Sequence, residues 1–197
     1  MNTIEITKKE SKADFARLRS VIACLSKDPT RAVINLLLVE KAQDGVIITA
    51  TDGRRLRSDN FDFQVEAGLY EVKTCNAKSI FMVQSSEKSA YPNYEQIIPP
   101  HGEHSAYTLN GQGKMFVLWA ASALGCYLDP KLVEVGEDEE VSLFIQKKSP
   151  HLSPALVRNK TTTFVLMPIS THWPWAYEIE RIKSEIAKHR EEEKKAA

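Results

Sequence analysis

His101 and His104, with Glu103 between them, are the densest grouping of acid–base or metal-ligating side chains in the sequence. On a helix, their spacing would turn both imidazoles to one side, as a small metal-dependent hydrolase would need. The neighbours argue for a loop instead. Pro99 and Pro100 precede the pair, Gly102 interrupts it, and no third ligand is indicated. His151, His172 and His189 are scattered, and the run GEDEE at 136–140 reads as a charged turn, not a cation site. Cys24, Cys75 and Cys126 are odd in number and lack CxxC spacing. They read as reduced thiols, not as a disulfide framework or zinc site. No GxSxG, phosphate-cradling glycine loop or Cys/His nucleophile arrangement is present. The expectation is a protein that is not an enzyme, with no metal and no cofactor. A small hydrolase using His101 and His104 stands as the alternative.

Twenty-six Lys and Arg balance 26 Asp and Glu, which argues against coating nucleic acid by bulk charge. Local basic faces remain open. No apolar run approaches the ~18 residues of a membrane helix. The start, MNTIEITKKESK, lacks the apolar core of a signal peptide. These features predict a cytoplasmic chain with no membrane partner.

The elements that must position any site follow from periodicity. Ile4 and Ile6 suggest a short strand. SKADFARLRSVIACLSKD reads as a helix capped by Ser11 and closed by Pro29, with Phe15, Leu18, Ile22 and Leu25 as its apolar stripe. RAVINLLLVEK, VIITAT and RRLRSDNFDF then read as an antiparallel meander, and GLYEV adds a strand. The stretch 73–100 reads as a connector ending in Pro-Pro. After it the order repeats: a strand in SAYTLN, a helix in GQGKMFVLWAASALGCYL, then strand candidates LVEV, VSLFIQ, ALVRN and TTTFVLMPI. The second helix is apolar nearly all round and so reads as buried. The predicted fold class is α+β, with helices laid on one side of antiparallel sheets. Two pseudo-repeated halves, about 1–90 and 100–170, would form one domain, 1–170. The remainder, 171–197, is a helical tail whose Trp175, Ile179, Ile182 and Ile186 share a stripe. Packing on its own domain and a contact between subunits both fit.

Residues 46–56 read VIITATDGRRL, a β-branched run, an Asp-Gly turn, two arginines and a leucine. Alone, this is a hairpin. Three separated pieces give it more meaning: ATDGRRL (50–56), YPNYEQIIP (91–99) and FVLMPI (164–169). They resemble, in the same order, the ATDGHRL, FPDYRRVLP and YVVMPM segments of the bacterial sliding clamp, the beta subunit of DNA polymerase III. AVINLLLVEKAQDGVIITATDGRRL also keeps that family's spacing without a gap.

The resemblance implies a DNA-clamp-like fold whose segments converge on a groove for short hydrophobic peptides. It implies as partner a DNA polymerase or another replication or repair protein. Carried over by position, the turn and following strand supply Thr51, Gly53, Arg54, Arg55 and Leu56. A neighbouring strand supplies Ile34 and the connector Pro99. The last strand supplies Val165, Met167, Pro168 and Ile169. Leu56 would point into the groove, while at least one of Arg54 and Arg55 reaches its rim. An unbranched Met suits a site with several partners.

Clamps also hold double-stranded DNA through phosphates, without reading sequence. Lys12, Arg19 and Lys27 on the first helix, with Lys8 and Lys9 before it, suit that role, and so does a solvated helix face. Trp119, Trp173 and Trp175 read as core or tail packing, not as a base-stacking platform. The sequence departs from the family in having Arg54 where the family has His, and Ser170 where the family has a rim arginine. It also has length for about one domain, where a clamp chain has three. A homo-oligomeric ring, a free-standing adaptor, and a structural clamp fold without DNA binding all remain open.

Overall fold

Among the described residues, alternation of buried and exposed side chains places ten strands in one antiparallel sheet. The computed structural model describes residues 2–169; Ser170 and the tail expected at 171–197 lie outside the described residues. In chain order the elements are β1 (Thr3–Thr7), α1 (Lys12–Ile22), a 3-10 turn (Ala32–Asn35), β2 (Leu37–Ala42), β3 (Gly45–Thr51), β4 (Arg55–Phe61), β5 (Gly68–Cys75) and β6 (Ser79–Gln84). A second 3-10 turn (Glu95–Ile97) follows, then β7 (Ala106–Gln112), α2 (Gly113–Ala123), β8 (Glu140–Gln146), β9 (Ala155–Arg158) and β10 (Thr162–Leu166). The spatial order is β1-β6-β5-β2-β3-β4-β10-β9-β8-β7. Strands from the first part of the chain occupy one side and strands from the last part the other. They join where β4 pairs antiparallel with β10.

Both helices lie on one face. α1 contacts β1, β3, β4 and β6, and α2 contacts β7 and β8. Phe15, Leu18 and Val21 from α1 share a single core with Val117 and Ala121 from α2 and with Val141, Leu143 and Ile145 of β8. Ser11 caps α1 by accepting the Asp14 amide at 3.2 Å, satisfying one of the unpaired first-turn donors.

Five expectations need correction. α1 stops at Ile22, well before Pro29, and Val21 is fully buried where the stripe had named Ile22. Ile34 lies in the first 3-10 turn, not on a strand, where its carbonyl accepts the Ser26 amide at 3.2 Å. The stretch assigned to the connector contains β6. Its alternation buries Ile80 and Met82, and it pairs with β1 and β5. LVEV at 132–135 buries Val133 and Val135 but forms no strand. Its carbonyls bind guanidinium groups instead of a ladder, with Leu132 O accepting from Arg55 at 3.0 Å and Glu134 O accepting from Arg57. Finally, α2 is not enclosed: Met115 is 64% exposed and Trp119 75% exposed. Only one stripe of that helix meets the sheet, so Trp119 is not a core residue of the described part.

Arg57 sits in the middle of the helix-side core and is 1% exposed. Its Nε donates to Asp59 Oδ1 at 3.1 Å, its Nη2 to Asp59 Oδ2 at 3.1 Å, and Glu139 lies 3.6 Å away. A buried guanidinium is tolerated only with such pairing. The GEDEE run therefore contributes a structural partner, Glu139, to the centre of the molecule. No helix among the described residues is long and apolar enough to cross a membrane.

Candidate functional site

The Asp-Gly turn is held by its own side chains. Asp52 Oδ1 accepts the Arg54 and Arg55 amides at 2.9 and 3.0 Å. The Thr51 hydroxyl donates to Arg55 O at 2.8 Å and accepts the Gly53 amide at 3.1 Å. Gly53 has φ +86°, a conformation that a side chain would strain. This rigid turn sets the register of β4, which places Leu56 opposite Thr51 on one side and opposite Val165 on the other.

Period-2 alternation then splits the strand between two faces. Arg55, like Arg57, turns to the helix side. Its Nε meets Asp52 at 3.1 Å, and its other nitrogens donate to Ala23 O and Leu132 O. Arg55 is thus a brace holding the turn to the helix layer, away from the face that carries Leu56. Arg54 is the arginine at the rim, with a side chain 57% exposed and Asp129 at 3.6 Å.

On the face opposite the helices, Leu56, Leu156 and Val165 form a small apolar cluster over which Tyr94, Ile98 and Phe144 pack. Leu56 is its floor, 0% exposed. The connector crosses here because Tyr94 and Ile98 find apolar side chains beneath them. The Tyr94 phenol also donates to Glu40 Oε2 at 2.6 Å. Burial first, and the Glu40 carboxylate second, push that phenol up to about 12. Pro99 is buried immediately after Ile98.

Beyond β10 the chain stays beside the turn, with the Met167 amide donating to Arg54 O at 2.9 Å. Met167 is 43% exposed, while Ile169 is buried against Tyr127 and donates its amide to Tyr127 O at 2.7 Å. Pro168 between them is half-buried. The structure therefore brings together Thr51, Gly53, Arg54, Leu56, Val165 and Met167, with Pro168 and Ile169 continuing from them. It sends Arg55 to the other face and leaves Ile34 half-buried in its 3-10 turn.

Lys8, Lys9, Lys12, Arg19 and Lys27 are all exposed. Lys8 and Lys9 border a cavity of about 490 Å³ together with Lys78. The Lys8 amide donates to Lys78 O at 2.9 Å, so the turn after β1 and the turn before β6 meet there. Sequence reading missed Lys78 because it lay in what looked like a connector. Arg17, also on the first helix, is held by the protein itself: it pairs with Asp14, donates to Asn60 O at 2.8 Å and stacks on Phe61.

The histidine pair does not form a centre. His101 Nε2 accepts from Arg158 at 2.7 Å, and its ring sits edge-on to Phe144. No group of three His, Cys, Asp or Glu among the described residues could hold a metal.

No protein-family model and no curated protein matches the chain. Solved structures do. The DNA polymerase III beta subunit of Thermotoga maritima superimposes with a TM-score of 0.57 over 85% of this chain and 65% of its own, at 13% identity. The sliding clamp of Bacillus subtilis gives 0.53 over 87% and 65%, at 13% identity. That of Pseudomonas aeruginosa gives 0.53 over 85% and 66%, at 14% identity. The chain spans about two thirds of the length of these proteins, and its fold is the sliding-clamp fold.

Proposed function

We propose that this chain is a non-catalytic binding module of DNA replication or repair. In this reading a partner, a polymerase or another replication or repair protein, docks a short hydrophobic peptide at the seam between β4 and β10. Leu56 and Val165 form the floor, Tyr94, Ile98 and Pro99 one wall, and Met167, Pro168 and Ile169 the other. Arg54 stands at the rim. The observation that carries the reading is the closeness of the Asp-Gly turn to the Met-Pro end of β10, joined through Met167 N and Arg54 O at 2.9 Å. An apolar slot beside one exposed cation and an adaptable thioether suits an apolar peptide anchor.

Contact with DNA belongs to the same proposal. The basic residues Lys8, Lys9, Lys12, Arg19 and Lys27, joined by Lys78, would touch phosphate and not bases. Self-association is part of it too, since among the described residues β1 and β7 end the sheet with one ladder side each unpaired. Three free cysteines fit a reducing, cytoplasmic setting.

Fluorescence anisotropy with a labelled peptide carrying Leu and Phe anchors tests the groove. The wild type is expected to bind, and Met167→Ala to weaken binding several-fold. Equal binding by both, or by neither, removes the groove. Native mass measurement at micromolar concentration decides between a ring and a free-standing adaptor: a monomer excludes the ring.

A further inference from the structure

The face that carries Leu56 continues past Phe144 into a second, more polar concavity. A cavity of about 780 Å³ opens over β7, β8 and β9, lined among others by Asn110, Ser142, Phe144, Arg158 and Lys160. Phe144 belongs to both regions, packing on the Leu56 cluster and lining this cavity. Asn110 and Ser142 already bond to one another at 2.7 Å. Arg158 is different. A guanidinium only donates, so at 2.7 Å its Nη1 gives a proton to His101 Nε2. Its Nε is shut off from solvent, with no acceptor among the described residues. Among the described residues, neither Arg158 nor Lys160 makes an ion pair.

An unpaired buried donor on a cation is costly and calls for an acceptor. The fork left beside the His101 contact is formed by Nε and Nη2, the edge that receives a carboxylate with two parallel bonds. We infer that Arg158 receives a carboxylate from the peptide partner, an Asp or Glu flanking the apolar anchors that occupy the Leu56–Val165 seam. To do so the guanidinium turns that edge out into the cavity it already lines. Lys160 adds attraction at the mouth. Glu140, the one carboxylate among the described residues lining the cavity, repels further negative charge and so selects a single acidic residue over an acidic run or a doubly charged phosphate. The cavity adjoins the seam through one side chain, which places the acidic residue within a few positions of the anchors at about 3.3 Å per extended residue.

This inference rests on the groove reading and deepens it. Its test uses two labelled peptides with the same Leu and Phe anchors, one carrying a flanking Glu and the other Gln at that position. They are titrated against wild type, Arg158→Gln and Met167→Ala. On the wild type the Glu peptide should bind about tenfold more tightly, as expected for a desolvated charge-assisted pair. On Arg158→Gln the two should be equal, and Met167→Ala should weaken both alike. If both bind the wild type equally and both feel Met167→Ala, the acid site is wrong and the groove survives. If neither binds, the groove fails and this site with it. Equal binding of the Glu and Gln peptides to the wild type overturns the site even where Arg158→Gln does not fold.

Discussion

Among the described residues, Leu56 on β4 and Val165 on β10 are register partners in the one ladder that joins β1–β6 to β7–β10. The proposed peptide floor is therefore also the joint that holds the two halves together. Leu56→Ala should cost roughly 2–5 kcal/mol of stability, the range for a fully buried Leu that leaves a cavity. Urea unfolding measures it, and a loss below about 1 kcal/mol would mean that Leu56 is not packed at the seam. Binding tests belong on Met167, whose exposure lets it change without that penalty.

Arg57 presents the opposite hazard, a charge in the core. Arg57→Met should lower stability by about 3–5 kcal/mol, because it leaves the fully buried Asp59 without its partner. Replacing both, as Arg57→Met with Asp59→Leu, should recover most of that loss. Denaturant midpoints of the two variants check it. A double variant no better than the single one would show that the bonds to Glu134 O and Thr162, not the ion pair, carry the effect.

Tyr94 supplies a pH-dependent contribution. Its folded-state value, about 12, lies above the ordinary tyrosine value of 10. A group raised on folding stabilises the native state below its unfolded value and loses that effect as pH rises through the folded one. Stability should accordingly fall between about pH 10 and 12, beyond the loss seen in Tyr94→Phe. That variant itself should be about 1 kcal/mol less stable at pH 7, through loss of the bond to Glu40. Phenolate absorbance against pH, with and without Tyr94, measures the titration. A Tyr94 that ionises near 10 would place it outside the cover over Leu56.

Much of this architecture was legible because period and punctuation agree. Ser11 before an apolar 3–4 spacing marks α1, and VIITAT with a following Asp-Gly marks β3 and its turn. What failed did so for physical reasons. LVEV has strand composition, yet its carbonyls are claimed by Arg55 and Arg57, which reach it from far along the chain. β6 was hidden inside a polar stretch, since its reason for existing is its two neighbours, β1 and β5. α2 looked enclosed from its composition, but burial of Val117 and Ala121 does not require burial of Met115 and Trp119 on the far side. At the site, the resemblance put Leu56, Val165 and Met167 together. It could not say which arginine braces the turn, because Arg54 and Arg55 are distinguished only by the face each strand position takes.

The three-lysine cleft carries the DNA limb of the reading to a measurable slope. Lys8, Lys9 and Lys78 converge on one cavity without carboxylate partners among the described residues, so a phosphate there would displace counterions. Each phosphate contact contributes about 0.9 to the dependence of log affinity on log salt for duplex DNA. Lys9→Glu with Lys78→Glu should lower that slope by about 2 and weaken binding equally for unrelated sequences. Lys131→Glu with Lys148→Glu makes the same change in net charge at other exposed positions, and it should leave the slope nearly intact. Filter binding of a random-sequence duplex across a salt series separates the two pairs. Should both alter the slope alike, the protein meets DNA through overall charge alone, and the cleft has no part in it.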